Sequence, residues 1–213
     1  MKEVRPYKVF ALPAAGEIAR IPFPRHRGAG GLTLLETFVL IALAKAVNAR
    51  RIFEFGTFYG STTYNLALNT SAEVFTLDLD PETAHSINQN EHDAPLTSIH
   101  LASQMDFART DEERRITRLQ GNSTTFLFSP WHGSMDMVFV DGGHDLATAS
   151  ADTENARRLL NGGPSVIAWH DYRNPQHPHL TGFFDELSQH LDLFHIGDTM
   201  LCVHFRNFDT SSL

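Results

Sequence analysis

Apolar positions recur at three-and-four spacing over residues 32–47, where Leu35, Phe38, Val39, Ala42, Leu43, Ala46 and Val47 fall on one side of a helix. Arg51–Phe55 then reads as a strand. Gly56 and Gly60 bracket a tight turn after it, and Ser61–Thr63 supply N-cap chemistry for a helix carrying Tyr64, Leu66, Ala67 and Leu68. Glu73–Leu79 is the next strand, and Pro81 suits the first turn of a helix behind it. Residues 91–113 are polar and irregular, with Pro95 and the acids Asp111–Glu113, and read as an insertion or lid before a strand at Arg115–Leu119.

Met135–Asp141 is the most hydrophobic strand up to that point, followed by a helix over about residues 145–160 that Gly162, Gly163 and Pro164 terminate. Ser165–Trp169 makes a fifth strand ending in His170, Asp171 and Tyr172, and residues 174–179 read as a loop of prolines and histidines. A helix is expected at Thr181–His190. The apolar runs Leu191–Ile196 and Met200–Phe205, split by Gly197, Asp198 and Thr199, predict an antiparallel hairpin. Strands alternating with helices predict an α/β fold: one doubly wound domain with a mostly parallel seven-stranded sheet and an antiparallel C-terminal hairpin.

Composition narrows the function classes. The chain has 213 residues, 42% hydrophobic and 20% charged, the profile of one ordinary globular domain. The net charge of −8 argues against nucleic acid or an anionic membrane as partner and favours a small molecule. Residues 1–30 nevertheless hold six basic residues (Lys2, Arg5, Lys8, Arg20, Arg25, Arg27) against two acids, so a basic arm precedes the main domain at 31–213, and it reads as a solvated terminus. The single cysteine, Cys202, excludes an intrachain disulfide. The longest apolar run, Phe38 to Ala44, is far short of the roughly 20 residues of a membrane helix. Pro13 interrupts the short apolar stretch near the start, and a cytoplasmic location is expected.

In open sheets of this type ligands lie beyond the carboxyl ends of the strands. The residues there are Glu54–Gly60, Asp78–Asp80, Gly121–Ser123, Asp141–His144 and His170–Tyr172. The first group lacks the G-x-G-x-x-G spacing that seats a dinucleotide pyrophosphate, which disfavours a nicotinamide dehydrogenase. Asp78, at the end of the second strand, is placed to accept two ribose hydroxyls, so a nucleoside without a pyrophosphate is one reading; a plain turn with Asp78 as a helix cap is the other.

The run from Glu54 to Thr62 resembles motif I of class I S-adenosylmethionine-dependent methyltransferases, and Leu77 to Pro81 resembles the acidic end of their second strand. The similarity continues through Gly121–Ser123, Val140–His144 and Ala168–Tyr172. It spans roughly residues 32–205 and, in Asp141–His144 and Trp169–Tyr172, resembles a bacterial branch related to catechol and sugar O-methyltransferases. The resemblance implies a Rossmann-like methyltransferase fold, S-adenosylmethionine as cofactor, and in-line methyl transfer to a small-molecule hydroxyl.

By motif position, Glu54, Gly56 and Gly60 would hold the methionine portion, with Ser61 and Thr62 near its carboxylate at a helix N-terminus. Asp78 would bind the ribose, and Asn122 and Ser123 the adenine, an amide standing at Asn122 where many relatives have aspartate. Phe58 falls where a ring often meets the sulfonium, ordinary packing being its alternative. Asp141 borders the same cofactor site. In metal-dependent relatives the acids at the positions of Asp141, His170 and Asp171 hold the ion; histidine at 170 leaves magnesium, manganese, iron or zinc open. The metal-free alternative makes His144 or His170 a general base steadied by Asp171. A hydroxylase-like enzyme and a non-catalytic cofactor-binding protein are the other readings of this fold, and homo-oligomerisation is left open. His177 and His179 read as solvated, Trp169 and Trp131 as packing residues, and Arg157 and Arg158 as a solvated helix end.

Overall fold

The computed structural model describes residues 1–12, 14, 18–22, 31–86 and 103–213. Eight strands form one sheet: β1 (Lys2–Val4), β2 (Arg51–Phe55), β3 (Glu73–Asp78), β4 (Ile116–Gln120), β5 (Met137–Val140), β6 (Ser165–Trp169), β7 (Phe194–Ile196) and β8 (Cys202–Arg206). The helices are α1 (Pro6–Phe10), α2 (Leu34–Ala46), α3 (Ser61–Asn69), α4 (Pro81–Ser86), α5 (Leu146–Leu159) and α6 (Pro178–Leu187). The strand order is β1-β7-β8-β6-β5-β2-β3-β4, parallel except where β8 runs against both β6 and β7.

The central strands are buried on both faces, as their continuous apolar runs require. Side chains alternate between two cores. Ile52, Met137, Phe139, Val166 and Ala168 face α2 and α3, whereas Phe53, Phe55, Val138, Val140, Ile167 and Trp169 face the layer of α5 and α6. Trp169 is fully buried and donates its indole N–H to Thr153 at 3.0 Å, a core residue as expected. Trp131 packs against Phe53, Phe75 and Phe126. Arg157 and Arg158 stay at the surface, paired with Glu154.

Four expectations are corrected. The sheet has eight strands rather than seven, because Lys2–Val4 pairs parallel with β7. That segment is therefore not a solvated terminus: Val4, Val9 and Leu12 are buried. Burial of such side chains is worth about 1.5–3 kcal/mol each, whereas the exposed Arg5–Asp198 pair at 3.7 Å contributes at most about 1 kcal/mol. Hydrophobic contact thus outweighs that ion pair in docking residues 1–12. The strand expected from Arg115 begins at Ile116, since Asp111–Arg115 forms a 3-10 turn. The helix expected at Thr181–His190 starts at Pro178, which occupies the helical position where its missing N–H costs nothing. Most of the expected insertion, residues 87–102, lies outside the described residues. No helix among the described residues is long and apolar enough to cross a membrane.

Candidate functional site

The carboxyl ends of β2, β3, β5 and β6 open on one edge of the sheet, and the loops there divide into two halves. In the first, Gly56 follows β2 at φ +89° and donates its N–H to Leu77 at 2.9 Å. A Cβ on Gly56 would stand 2.1 Å from the Asp141 carbonyl oxygen, so only glycine lets the loops after β2 and β5 touch. Gly60, at φ +78°, starts α3, and a Cβ there would meet the Phe107 ring at 2.5 Å. Between them Phe58 adopts φ +49° and lies half-buried against Tyr59, ring centroids 4.2 Å apart.

Asp78 fixes this loop. Its Oδ2 accepts the backbone N–H groups of Thr57 at 3.0 Å and Phe58 at 2.8 Å, while Oδ1 accepts that of Leu79 at 2.8 Å. Glu54 lies beneath the loop, its carboxyl receiving the hydroxyls of Thr63 and, at 2.6 Å, Thr76. Burial pushes Glu54 up to about 8 against the pull of those two hydroxyls, with Asp141 and Asp78 adding to the rise. Near neutrality it is thus uncharged and supports the turn through hydrogen bonds. Ser61, at the start of α3, donates to Asp106, whose own N–H donates to Tyr59 at 2.8 Å. Thr62 is half-buried beside it. Asp106 is 4% exposed and was not legible in the sequence, being separated from the loop by more than forty residues of chain.

Asn122 turns its Oδ1 inward on its own loop, accepting from the N–H and hydroxyl of Thr124 at 2.9 and 2.7 Å. Ser123 lies near the buried Asp152 of α5. Burial lifts that carboxyl to about 7, Ser123 opposing the rise and Asp145 adding to it.

The second half gathers Asp141, His144, His170 and Asp171. Nδ1 of His170 lies 3.2 Å from Asp141 and 3.5 Å from Asp171, and its Nε2 lies 3.4 Å from Glu36. The Glu36 contact is an ion pair without hydrogen-bond geometry. Burial by itself would lower the His170 pKa, but Asp141, Asp171 and Glu36 reverse this and hold it well above the usual imidazole range. The ring is enclosed by three acids. The donor atoms of Asp141, His170 and Asp171 lie within 4.8 Å of one another, a grouping that could hold a metal ion.

Glu36 belongs to α2. Thr33 caps that helix by accepting from the Glu36 N–H at 3.2 Å, and the Glu36 carboxylate returns the bond to the Thr33 N–H at 2.8 Å. Burial would raise the Glu36 pKa; the His170 ring and the N–H groups of Met200 and Thr33 overcome this and bring it down to about 2. The sequence reading named neither Thr33 nor Glu36, and even their capping-box spacing carries no hint that the acid reaches the strand ends.

Asp171 adopts φ +68°, a costly backbone conformation that occurs at functional sites. Its Oδ2 lies 3.0 Å from Nε2 of His144, and its Oδ1 accepts from Asn174 Nδ2 at 2.5 Å. Burial opposes the charge on Asp171, but His144 and His170 outweigh it and hold the carboxyl well below the usual range. His177 is not solvated as expected. It is 5% exposed and its ring stacks on that of His144, with centroids 4.1 Å apart and planes 7° from parallel. His179 is exposed, yet its Nε2 lies 2.6 Å from the His144 carbonyl oxygen. The misreading arose because the neighbouring prolines signalled a loop, whereas Pro178 opens α6 and turns His177 inward.

Comparison with known proteins follows the same outline. A family model described as a methyltransferase domain matches residues 53–172. Cofactor-bound Rv0187 from MTB superimposes with a TM-score of 0.61 at 17% identity, covering 85% of this chain and 84% of that one. An O-methyltransferase from Bacillus cereus in complex with SAH gives 0.58 at 18% identity and 84% coverage of each chain. SAH-bound PaMTH1 from Podospora anserina gives 0.54 at 16% identity, covering 83% and 80%. At these identities the likeness is one of fold. No curated protein matches the chain.

Proposed function

The chain belongs to the methyltransferase domain family, and from that premise we propose that it is an S-adenosylmethionine-dependent enzyme that methylates a hydroxyl group of a small molecule. One observation carries the reading. The loop that Asp78 orders lies against the Asp141 carbonyl, so a nucleoside site and an ionic cluster share one sheet edge, with a glycine at the seam. When bound, S-adenosylmethionine supplies an electrophilic methyl group that leaves its sulfur as an acceptor oxygen attacks in line.

The side chains divide the work. Asp78 receives the ribose hydroxyls and at the same time holds the turn at Thr57 and Phe58 in shape. Gly56 and Gly60 let the backbone approach the methionine portion, with Glu54 as an uncharged strut beneath them. Ser61 and Thr62, at the N-terminus of α3, take its polar end, and Asn122 and Ser123 border the adenine. Phe58 offers a ring face to the sulfonium, worth roughly 0.5–2 kcal/mol. The acceptor hydroxyl lies over Asp141, and its activation falls to the pair His144 and Asp171, whose 3.0 Å contact sets the imidazole. His170 neutralises the acids around it, which keeps the mouth of the site from repelling an anionic oxygen.

The reading is supported by B. cereus and P. anserina enzymes of the same fold that are solved with SAH. Calorimetric titration with S-adenosylhomocysteine tests it first, and mass-spectrometric screening of hydroxylated acceptors second. Saturable binding and a methylated product are expected. Absence of binding would sink the proposal, and binding without methylation of any acceptor would leave a cofactor-binding protein.

A further inference from the structure

Asp152 sits on the inner face of α5, where Ala149, Thr153, Ala156 and Leu159 are also buried. Its companions are apolar or, in Thr153, bonded to the Trp169 indole. Asp152 itself is 1% exposed, and its Oδ1 has no hydrogen-bond partner among the described residues. Buried polar atoms are nearly always paired, so an orphaned carboxyl oxygen points to a partner that the chain does not itself provide. We propose that this partner is the adenine ring of the cofactor: Asp152 accepts a hydrogen from the 6-amino group through one carboxyl oxygen and donates to N1 through the other. The assignment rests on the methyl-transfer reading and adds to it the residue that selects the base.

The carboxyl stands between two loops of the sheet edge. A Cβ on Gly142, in the loop after β5, would lie 2.8 Å from Oδ2 of Asp152, so a side chain there would push that oxygen aside. Ser123, in the loop after β4, lies near the same carboxyl. Asn122 does not offer the 6-amino group an acceptor in its stead. Its Oδ1 already takes the N–H and the hydroxyl of Thr124 at 2.9 and 2.7 Å, which fills both lone pairs of an amide oxygen.

The base and the carboxyl are complementary. The pairing edge of adenine sets a donor, the 6-amino group, beside an acceptor, N1, and proteins that select the base read that edge. A neutral carboxyl sets an acceptor beside a donor. Burial favours that neutral form and lifts the group to about 7; Ser123 opposes the rise, and Asp145, at the start of α5, reinforces it. Those two are the polar and charged groups acting on Asp152. Once the proton is lost, the donor to N1 is lost with it and a lone pair faces a lone pair. Keeping an unpartnered carboxyl in the interior costs the fold stability, as groups held ready for a ligand commonly do.

Calorimetric titration of the full-length protein with S-adenosylhomocysteine and with its 6-deamino analogue, purine standing in place of adenine, tests the contact. Removing the amine is expected to weaken binding to the wild type roughly 10-fold. In Asp152→Leu the parent ligand itself binds roughly 10–100-fold more weakly, and removing the amine then changes affinity less than about threefold. Asp152→Asn presents an acceptor beside a donor at every pH. It should hold one affinity from pH 6 to pH 8, whereas wild-type affinity falls over that range. Both variants should melt above the wild type at pH 8, since each removes a charge buried without a partner. An equal loss on removing the amine in wild type and Asp152→Leu overturns the assignment, as does wild-type affinity for the parent ligand in Asp152→Leu. If Asp152→Leu melts lower instead, Asp152→Asn decides, and a pH slope equal to that of the wild type overturns the assignment. A wild type that binds no S-adenosylhomocysteine overturns the methyl-transfer reading and this one together, whereas binding without coupling to Asp152 overturns this one alone.

Discussion

Oε1 of Glu36 lies 3.4 Å from Nε2 of His170 and accepts the N–H of Met200 at 2.8 Å. One buried carboxylate thereby joins the first turn of α2, the end of β6 and the approach to β8. Replacing it by alanine leaves the Met200 and Thr33 N–H groups without their acceptor, and Glu36→Ala is expected to lose about 1–3 kcal/mol in urea denaturation. The folded pKa of Glu36 lies near 2, below the ordinary 4.5. Its stabilising share is therefore complete above pH 4.5 and is lost as pH falls toward 2. Glu36→Gln should flatten that part of the acid limb, and an unaltered acid limb would exclude the assignment.

Gly56→Ala places a Cβ 2.1 Å from the Asp141 oxygen at a residue with φ +89°. The seam between the two halves of the site must open, because the obstacle is backbone on both sides. A stability loss of more than about 1 kcal/mol is expected, together with loss of calorimetrically detectable S-adenosylhomocysteine binding. Wild-type affinity in this variant would mean that the loops do not meet at the ligand.

Asp78→Asn keeps the shape of the side chain but exchanges one acceptor oxygen for an N–H donor that cannot serve the loop and the ribose together. Hydrogen bonds to a charged group are worth about 1.5–3 kcal/mol, so affinity for S-adenosylhomocysteine should fall roughly 10–100-fold. Far-ultraviolet circular dichroism should not change. Retained affinity would move the ribose elsewhere on the sheet edge.

Glu54 gives the opposite sign of pH dependence from Glu36. Its folded pKa of about 8 exceeds the ordinary 4.5, so the fold accommodates the uncharged carboxyl. The contribution is complete below pH 4.5 and declines as pH rises toward 8. Thermal melts of Glu54→Gln across this range should show a shallower decline than the wild type, with Asp152, lifted to about 7, supplying part of what remains. Identical slopes would show that Glu54 is charged in the folded protein.

The strands that carry the site were legible because β2, β5 and β6 are apolar runs flanked by glycine and charged residues, and each strand end then pointed to its chemistry. Glu36 escaped because its only local signal, four residues from Thr33 to Glu36, is fully explained by a helix cap. Nothing within α2 announces a histidine on β6. His177 escaped for the reverse reason: a proline on its far side looked like a loop breaker, and only the packed structure shows that proline at a helix start. Asp106 and Asp152 became visible through burial, which no short pattern encodes. Lys2–Val4 escaped because three residues are too few for alternation to be read, and its partner strand lies at the other end of the chain.

That last pairing bears on synthesis. Lys2–Val4 leaves the ribosome long before the strand that receives it, Phe194–Ile196. Until that strand is made, Val4 lacks the neighbour it pairs beside in the sheet. Docking of Lys2–Val4 adds the edge strand of the sheet, so a nascent chain halted before β7 keeps a strand with nowhere to pair.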